Sequence, residues 1–271
     1  MMKNWEWSKM DWSRAKNVFI MIFLILDIFL ISQFIIQKSE NTYDLIQDTP
    51  IDQQLKADNI QIKTELPLKP TKASYVEADA MVFQADDISS LSGQSIEILN
   101  DNILIKSQLT SPYPLKKDWK VADVDQFLKN YVYYGDQYKY YQYDKDKNMI
   151  TYYQLYKNQM FYKNASGQVQ LVLNDKNEIV SYSQTMLDDI KEISKQEILT
   201  AHEAMAILYN KGLLDVGSNI TNIKLGYYTL VPIKSSQLLA PTWCFTIDDK
   251  RDYFVNAVEG HVLNEEEEIL K

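Results

Sequence analysis

The chain has one cysteine, Cys244, so it cannot close an intramolecular disulfide and must be held by its core alone, which 271 residues are enough to build. Its seven glycines form no glycine-rich run, which excludes a phosphate-cradling loop. Histidine is scarce as well, with two residues. His202 opens the string His202-Glu203-Ala204-Met205-Ala206, and a zinc-protease helix would need a second histidine where Ala206 stands. With His261 distant in sequence, both histidines read as packing or surface groups, and no metal, cofactor or catalytic residue is assigned. Positive charge is also short. The net charge is −9, and beyond residue 38 there are 23 Lys/Arg against 34 Asp/Glu, a net −11. That balance argues against nucleic acid and against tight adsorption to anionic lipid or wall polymer.

What the chain does have is one apolar run, VFIMIFLILDIFLISQFII at residues 18–36. Nineteen helical residues span roughly 28 Å, about the hydrocarbon thickness of a bilayer. The run is too long for a signal peptide and no small-residue cleavage pattern follows it, so it reads as an uncleaved transmembrane helix. Lys3, Lys9, Arg14 and Lys16 precede it, whereas Lys38 is soon followed by Glu40, Asp44 and Asp48. The asymmetry places residues 1–17 in the cytoplasm and the rest outside the cell membrane. Trp5, Trp7 and Trp12 suit the cytoplasmic interface, and Trp12, Arg14 and Lys16 are the residues expected to fix orientation.

Asp27 lies at the centre of this run. A charge at mid-bilayer costs about 2.5–3.5 kcal/mol on insertion scales, and such groups usually face protein rather than lipid. Helical spacing places Ile20, Phe23, Leu24, Leu30, Ile31 and Phe34 on the face of Asp27, which reads as a contact surface for a partner helix.

The expected fold class is α+β: one N-terminal transmembrane helix, then a β-rich extracytoplasmic domain of antiparallel meanders with two main helices. Residues 37–59 are polar and read as a stalk. A β-rich lobe follows over 60–190, with a hairpin turning at Asn100, Asp101 and Asn102. Its helix carries Val121, Val124, Phe127, Leu128, Tyr131 and Val132 at helical spacing, stopped by Gly135. Four strands to about Thr185 complete a meander. Ser194 and Glu197 form a capping-box pattern for a second helix through Lys211, stopped by Gly212. Three more strands and an acidic tail complete the C-terminal lobe, 191–271. Helix plus meander thus occurs twice, the pattern of a structural duplication.

Two features invite an enzymatic or sugar-binding reading. The pairs Asp86-Asp87, Asp188-Asp189 and Asp248-Asp249 would suit glycan hydrolysis, but neighbours on a strand point to opposite faces and all three fall at strand ends or turns. Nineteen tyrosines, densest between Tyr131 and Tyr156, would suit stacking on sugar rings or simply a half-buried sheet. A cell-wall-associated glycan-binding or glycan-hydrolysing protein is therefore the alternative. The run Glu265 to Glu268 reads as a solvated tail.

Residues 10–30 read MDWSRAKNVFIMIFLILDIFL, and the string Asp11-Trp12-Ser13-Arg14-Ala15-Lys16 leading into an apolar span resembles the start of the YycI (WalI) family. The similarity extends over the ectodomain. Its closing segments, Tyr253-Phe254-Val255-Asn256-Ala257 and Gly260-His261-Val262-Leu263, are similar to the end of a PepSY-like unit. The resemblance implies a single-pass accessory protein of the WalK–WalR two-component system of Gram-positive bacteria, without catalytic activity. Its partners would be a WalK-like sensor histidine kinase, met chiefly through transmembrane helices, and a YycH-like sister protein. Two departures accompany it. Met1 to Lys9 precede the usual family start, making Met10 an alternative initiator, and the family often carries asparagine at the position of Asp27.

Overall fold

The computed structural model describes residues 12–41, 51–67, 72–232 and 236–263. They form two compact units, divided after Pro50. The first unit contains one helix, α1 (Trp12–Asn41), continuous for 30 residues.

The second unit is a β-rich body. In chain order its elements are α2 (Ile51–Ala57), β1 (Gln61–Ile62), β2 (Lys72–Ala80), α3 (Ala85–Ile88), β3 (Gln94–Leu99), β4 (Leu104–Pro114), α4 (Val121–Tyr131), β5 (Tyr138–Asp144), β6 (Met149–Tyr156), β7 (Gln159–Tyr162), β8 (Gln168–Leu173), β9 (Glu178–Gln184), β10 (Leu187–Glu197), α5 (Ala201–Asn210), β11 (Asn219–Pro232), β12 (Ser236–Ile247) and β13 (Arg251–Asn256). The strands run in the order β10-β2-β12-β11-β7-β6-β8-β9-β4-β3, with β1 beside β11, β13 beside β12 and β5 beside β6. This is the expected α+β class, with helix and meander occurring twice.

Each half builds its own core. Val124, Phe127 and Leu128 of α4 are fully buried and cluster with Ile105, Ile150, Tyr152 and Leu171 of the first meander. Ala204, Met205 and Leu208 of α5 do the same with Ile223, Trp243, Phe245 and Val255, and the Trp243 indole donates to the Leu199 carbonyl at 2.8 Å. The halves meet at β7, which runs antiparallel to β6 (Leu155 opposite Met160) and parallel to β11 (Tyr227 opposite Phe161). A Cβ at Gly226 would overlap the Tyr162 ring and the Met160 carbonyl, so this crossing requires glycine.

Three expectations need revision. The stalk was expected to reach residue 59, yet α2 belongs to the body: Ile51, Leu55 and Ile60 are buried in the α5 core. His202 Nε2 lies 3.2 Å from Asp52 Oδ1, and the Tyr209 hydroxyl donates to Asp58 at 2.7 Å. Two apolar residues four apart in a seven-residue helix are too faint a stripe to stand out in a polar stretch; residues 42–50 lie outside the described residues. Second, Ser194 and Glu197 cap no helix. They sit in β10, opposite Tyr75 and Lys72 of β2, and the capping box is formed three residues beyond Glu197. There Thr200 Oγ1 accepts from the Glu203 amide at 3.2 Å and the Glu203 carboxylate accepts from the Thr200 amide at 2.7 Å. Third, β2 falls within the expected N-terminal lobe by sequence but pairs with β10 and β12, and β10 spans the expected boundary at residue 190. Gly135 also acts differently from a helix stop: α4 ends at Tyr131, and a Cβ at Gly135 would overlap the Leu128 carbonyl.

The tyrosine excess is mostly structural. Tyr152 is buried and donates to Asp125 Oδ1 at 2.9 Å, Tyr138 to the Thr185 carbonyl at 2.7 Å and Tyr182 to the Tyr131 carbonyl at 2.7 Å. Rings pack edge to face, Tyr140 on Tyr152 at 5.7 Å and Tyr141 on Tyr153 at 5.0 Å. Burial pushes the hydroxyls of Tyr182 and Tyr227 up to about 12, and those of Tyr138 and Tyr152 upward as well.

Two outcomes are expected. Leu55→Ala lowers unfolding free energy by about 2–4 kcal/mol in urea titration, whereas the neighbouring exposed Gln53→Ala changes it by less than about 0.5 kcal/mol; equal small effects would return α2 to a stalk. A raised tyrosine pKa favours the protonated form in the fold, so this stabilisation is complete below the unfolded value of 10.0 and is lost as pH rises towards about 12. The urea midpoint at about pH 11 should fall well below that at about pH 9, and a flat profile would contradict the burial of these hydroxyls.

Candidate functional site

The expected partner-helix residues lie on α1. At about 1.5 Å per residue this helix is about 45 Å long, and its stretch Lys16–Gln33 is apolar enough to cross a membrane. No glycine or proline interrupts residues 12–41, so the i, i+3, i+4 spacing holds throughout and brings Ile20, Phe23, Leu24, Asp27, Leu30 and Ile31 onto one face. These side chains, and that of Lys16, are exposed. Phe34, Trp12 and Arg14 lie on the helix, but their side chains are outside the described ones, as are residues 1–11, which include Trp5, Trp7 and Asp11.

Phe19 and Met21 are 65% and 67% exposed, and the apolar side chains go all round the helix. Full burial of such a side chain is worth about 1.5–3 kcal/mol, so lipid or protein must cover this surface. Within the stretch, Asp27 is the one carboxylate, and Ser32 Oγ donates to the Phe29 carbonyl at 2.7 Å, which satisfies its hydroxyl within the helix.

The acidic pairs of the body have local structural duties. Asp87 accepts from the Gln84 amide at 2.7 Å and from the Tyr133 hydroxyl at 3.2 Å, and Asp248 accepts from the Asn219 amide at 2.9 Å. Asp189, with φ 46°, sits at a bulge in β10 and pairs with Lys191. His202 contacts Asp52 as described, and His261 Nδ1 lies 3.5 Å from Glu259. Among the described residues no three His, Cys, Asp or Glu side chains group as a metal site. The Glu265 to Glu268 run lies outside the described residues.

One feature of the body escaped the sequence reading, a cleft of about 510 Å³ between β5 and the outer face of β11, β12 and β13. Register explains its floor. Asn222, Thr246 and Asp252 stand in one row across the three strands, and Lys224, Cys244 and Phe254 in the next. Burial pushes the Cys244 thiol well above its ordinary range, and Asp252 beside it adds to the rise, so the group behaves as a small hydrophobe. No local motif announces this cleft, because its two facing walls, residues 139–142 and 222–225, lie at least 80 residues apart in the chain.

The model of the family described as YycI protein matches residues 40–258. No curated protein matches. Among solved structures, the chain is similar to an uncharacterized protein from Eubacterium rectale ATCC 33656, at 10% identity and TM-score 0.48, over 76% of this chain and 91% of that one. YycH from Bacillus subtilis matches at 13% identity and TM-score 0.43, over 74% and 59%. The C-terminal domain of Bacillus megaterium YpeB matches at 13% identity and TM-score 0.39, over 79% and 95%. The family match covers nearly the whole body and reaches back to the end of α1, and on that extent the chain belongs to the YycI family.

Proposed function

We propose that this protein is a membrane-anchored regulator of a WalK-like sensor histidine kinase that controls cell-wall metabolism, acting together with a YycH-like partner. Membership of the YycI family supports an accessory role in a two-component system, and with the apolar α1 it fits a single-pass membrane protein. The finer reading sets the N-terminus in the cytoplasm, on the strength of Arg14 and Lys16 ahead of the span, and the body outside.

The observation that carries the proposal is the exposed, uninterrupted apolar helix with a single carboxylate at Asp27. In lipid, helices associate through packing and interhelical hydrogen bonds, with each polar contact worth about 1–2 kcal/mol at most. The face of Ile20, Phe23, Leu24, Asp27, Leu30, Ile31 and Phe34 would share that contact with a kinase helix. Such a contact regulates only if it is stronger in one signalling state of the kinase than in the other.

Replacing residues 18–36 by an unrelated apolar helix should abolish the effect on kinase autophosphorylation in proteoliposomes, with the body still folded and anchored. Regulation that survives the exchange would sink the helix-contact reading. At the single-residue level, Asp27→Asn should keep co-purification with the kinase while Asp27→Leu weakens it about five- to tenfold, as loss of one interhelical hydrogen bond would. Identical behaviour of the two variants would remove Asp27 from the interface.

A further inference from the structure

The cleft between β5 and β11 has the form of a slot along strand edges. Residues 139–142 of β5 and residues 222–225 of β11 line it. Successive side chains of a strand point to opposite faces, so a cavity touched by four in a row lies along the edge. Among the described residues β5 pairs with β6 alone, which leaves its other edge open. A bulge at Tyr141 interrupts that pairing, and the Tyr141 ring is held against Tyr153. On the side opposite β12, β11 is covered by β1 at Asn219 and Ile220 and by β7 at Tyr227 and Tyr228, with no strand paired between them among the described residues.

The charges of the slot are uneven. Lys139 on one wall and Lys224 on the other are both exposed, and neither has a carboxylate partner among the described residues. In a body this acidic, Lys139 and Lys224 set two cations on opposite walls of one cavity, whereas Lys157 and Lys191 are neutralised by Glu192 and Asp189. The carboxylates of the slot, Asp249 and Asp252, both belong to the β12–β13 hairpin with Lys250 between them, and Asp252 already accepts from Thr246 Oγ1 at 2.6 Å. Apolar surface is supplied by Leu155, Met160 and Leu225.

We propose that this slot binds an extended, carboxylate-bearing peptide segment of another polypeptide, which pairs its backbone with the open edge of β5 and sets its acidic side chains against Lys139 and Lys224. Strand addition draws affinity from main-chain hydrogen bonds and specificity from the alternate side chains. Here one set of side chains meets the lysines and the other rests on Leu155, Met160 and Leu225. A volume of about 510 Å³ lies within the range of ligand sites, about 300–1,000 Å³, and holds a short strand rather than a folded domain. A glycan fits less well because the aromatic rings at the slot are already engaged, Tyr141 with Tyr153 and Tyr162 with Phe254. The slot shares no residue with the α1 face, so the two proposals stand or fall independently.

The test uses the full chain in nanodiscs and a fluorescein-labelled octapeptide of alternating valine and glutamate, followed by anisotropy at low and moderate salt. Saturable, salt-sensitive binding is expected, with hydrogen exchange slowed at residues 139–142 and Kd raised about tenfold or more by Lys139→Glu combined with Lys224→Glu. Both lysines are exposed, and an unchanged thermal melt would confirm that the double variant folds. The proposal is overturned if an alternating valine–lysine peptide binds equally well, if the double variant binds normally, or if protection appears away from β5. It is also overturned if a disaccharide muropeptide binds in place of the peptide, or if the peptide binds only after residues 264–271 are deleted, which would make the chain's own glutamates the occupant.

Discussion

The body depends on the short strand β7. Two meanders, each with its own helix and core, become one sheet because β7 hydrogen-bonds to β6 on one side and to β11 on the other. The parallel pairing brings the β11 backbone so near that Gly226 has no room for a side chain. Around this crossing Phe161, Tyr227 and Tyr156 pack ring against ring, and two buried amides bridge it with their hydrogen bonds satisfied. The Gln154 amide donates to the Leu187 carbonyl at 2.9 Å and its carbonyl oxygen accepts from the Leu187 amide at 2.7 Å. Asn164 donates to Thr229 and Gln237 at 2.7 Å each. Buried amides with both ends bonded fix register more strictly than apolar contact does, because any slip would leave a polar group unpaired.

That junction also explains why a helix-and-meander repeat yields different surfaces from its two copies. The first copy closes its core between α4 and the inner face of its sheet and leaves β5 at an open edge. The second is covered by α5 and α2 on one face, while its other face, carrying Lys224, Cys244 and Phe254, turns towards β5 and β7. The cleft is therefore a product of how the copies are joined, and neither contains it alone.

Much of the fold was legible from period. The α4 stripe, the α5 stripe, the hairpin at Asn100 to Asn102 and most meander strands stand where apolar spacing and turn residues put them, with Asn100, Asp101 and Asn102 all at positive φ. The failures share a cause. At Ile51 and Leu55 the local signal is only two residues, and packing against Met205 and Leu208 decides the outcome. At Ser194 the local signal is good, but pairing with β2 outweighs it and the helix starts at the next box, Thr200 and Glu203. Residues far apart in sequence settle both cases. The same reason hid Lys139 and Lys224, each unremarkable alone. The face around Asp27 is the opposite case: a regular helix needs only its spacing to be read.

The physical scale of helix contacts also bounds what kind of control the proposed regulator could exert. A partner moves a two-state kinase only by the difference between its affinities for the two states. With polar contacts in lipid worth about 1–2 kcal/mol and one carboxylate on the α1 face, a difference of about 2 kcal/mol is a reasonable ceiling for that helix, or roughly thirtyfold in the ratio of states. Full switching from about 1:99 to 99:1 would require about 5.5 kcal/mol, more than such a face supplies. Under the proposed contact, the anchor would be suited to setting the gain of a signal that originates elsewhere. A body with its own recognition slot would add a second, independently adjustable contribution to the same balance.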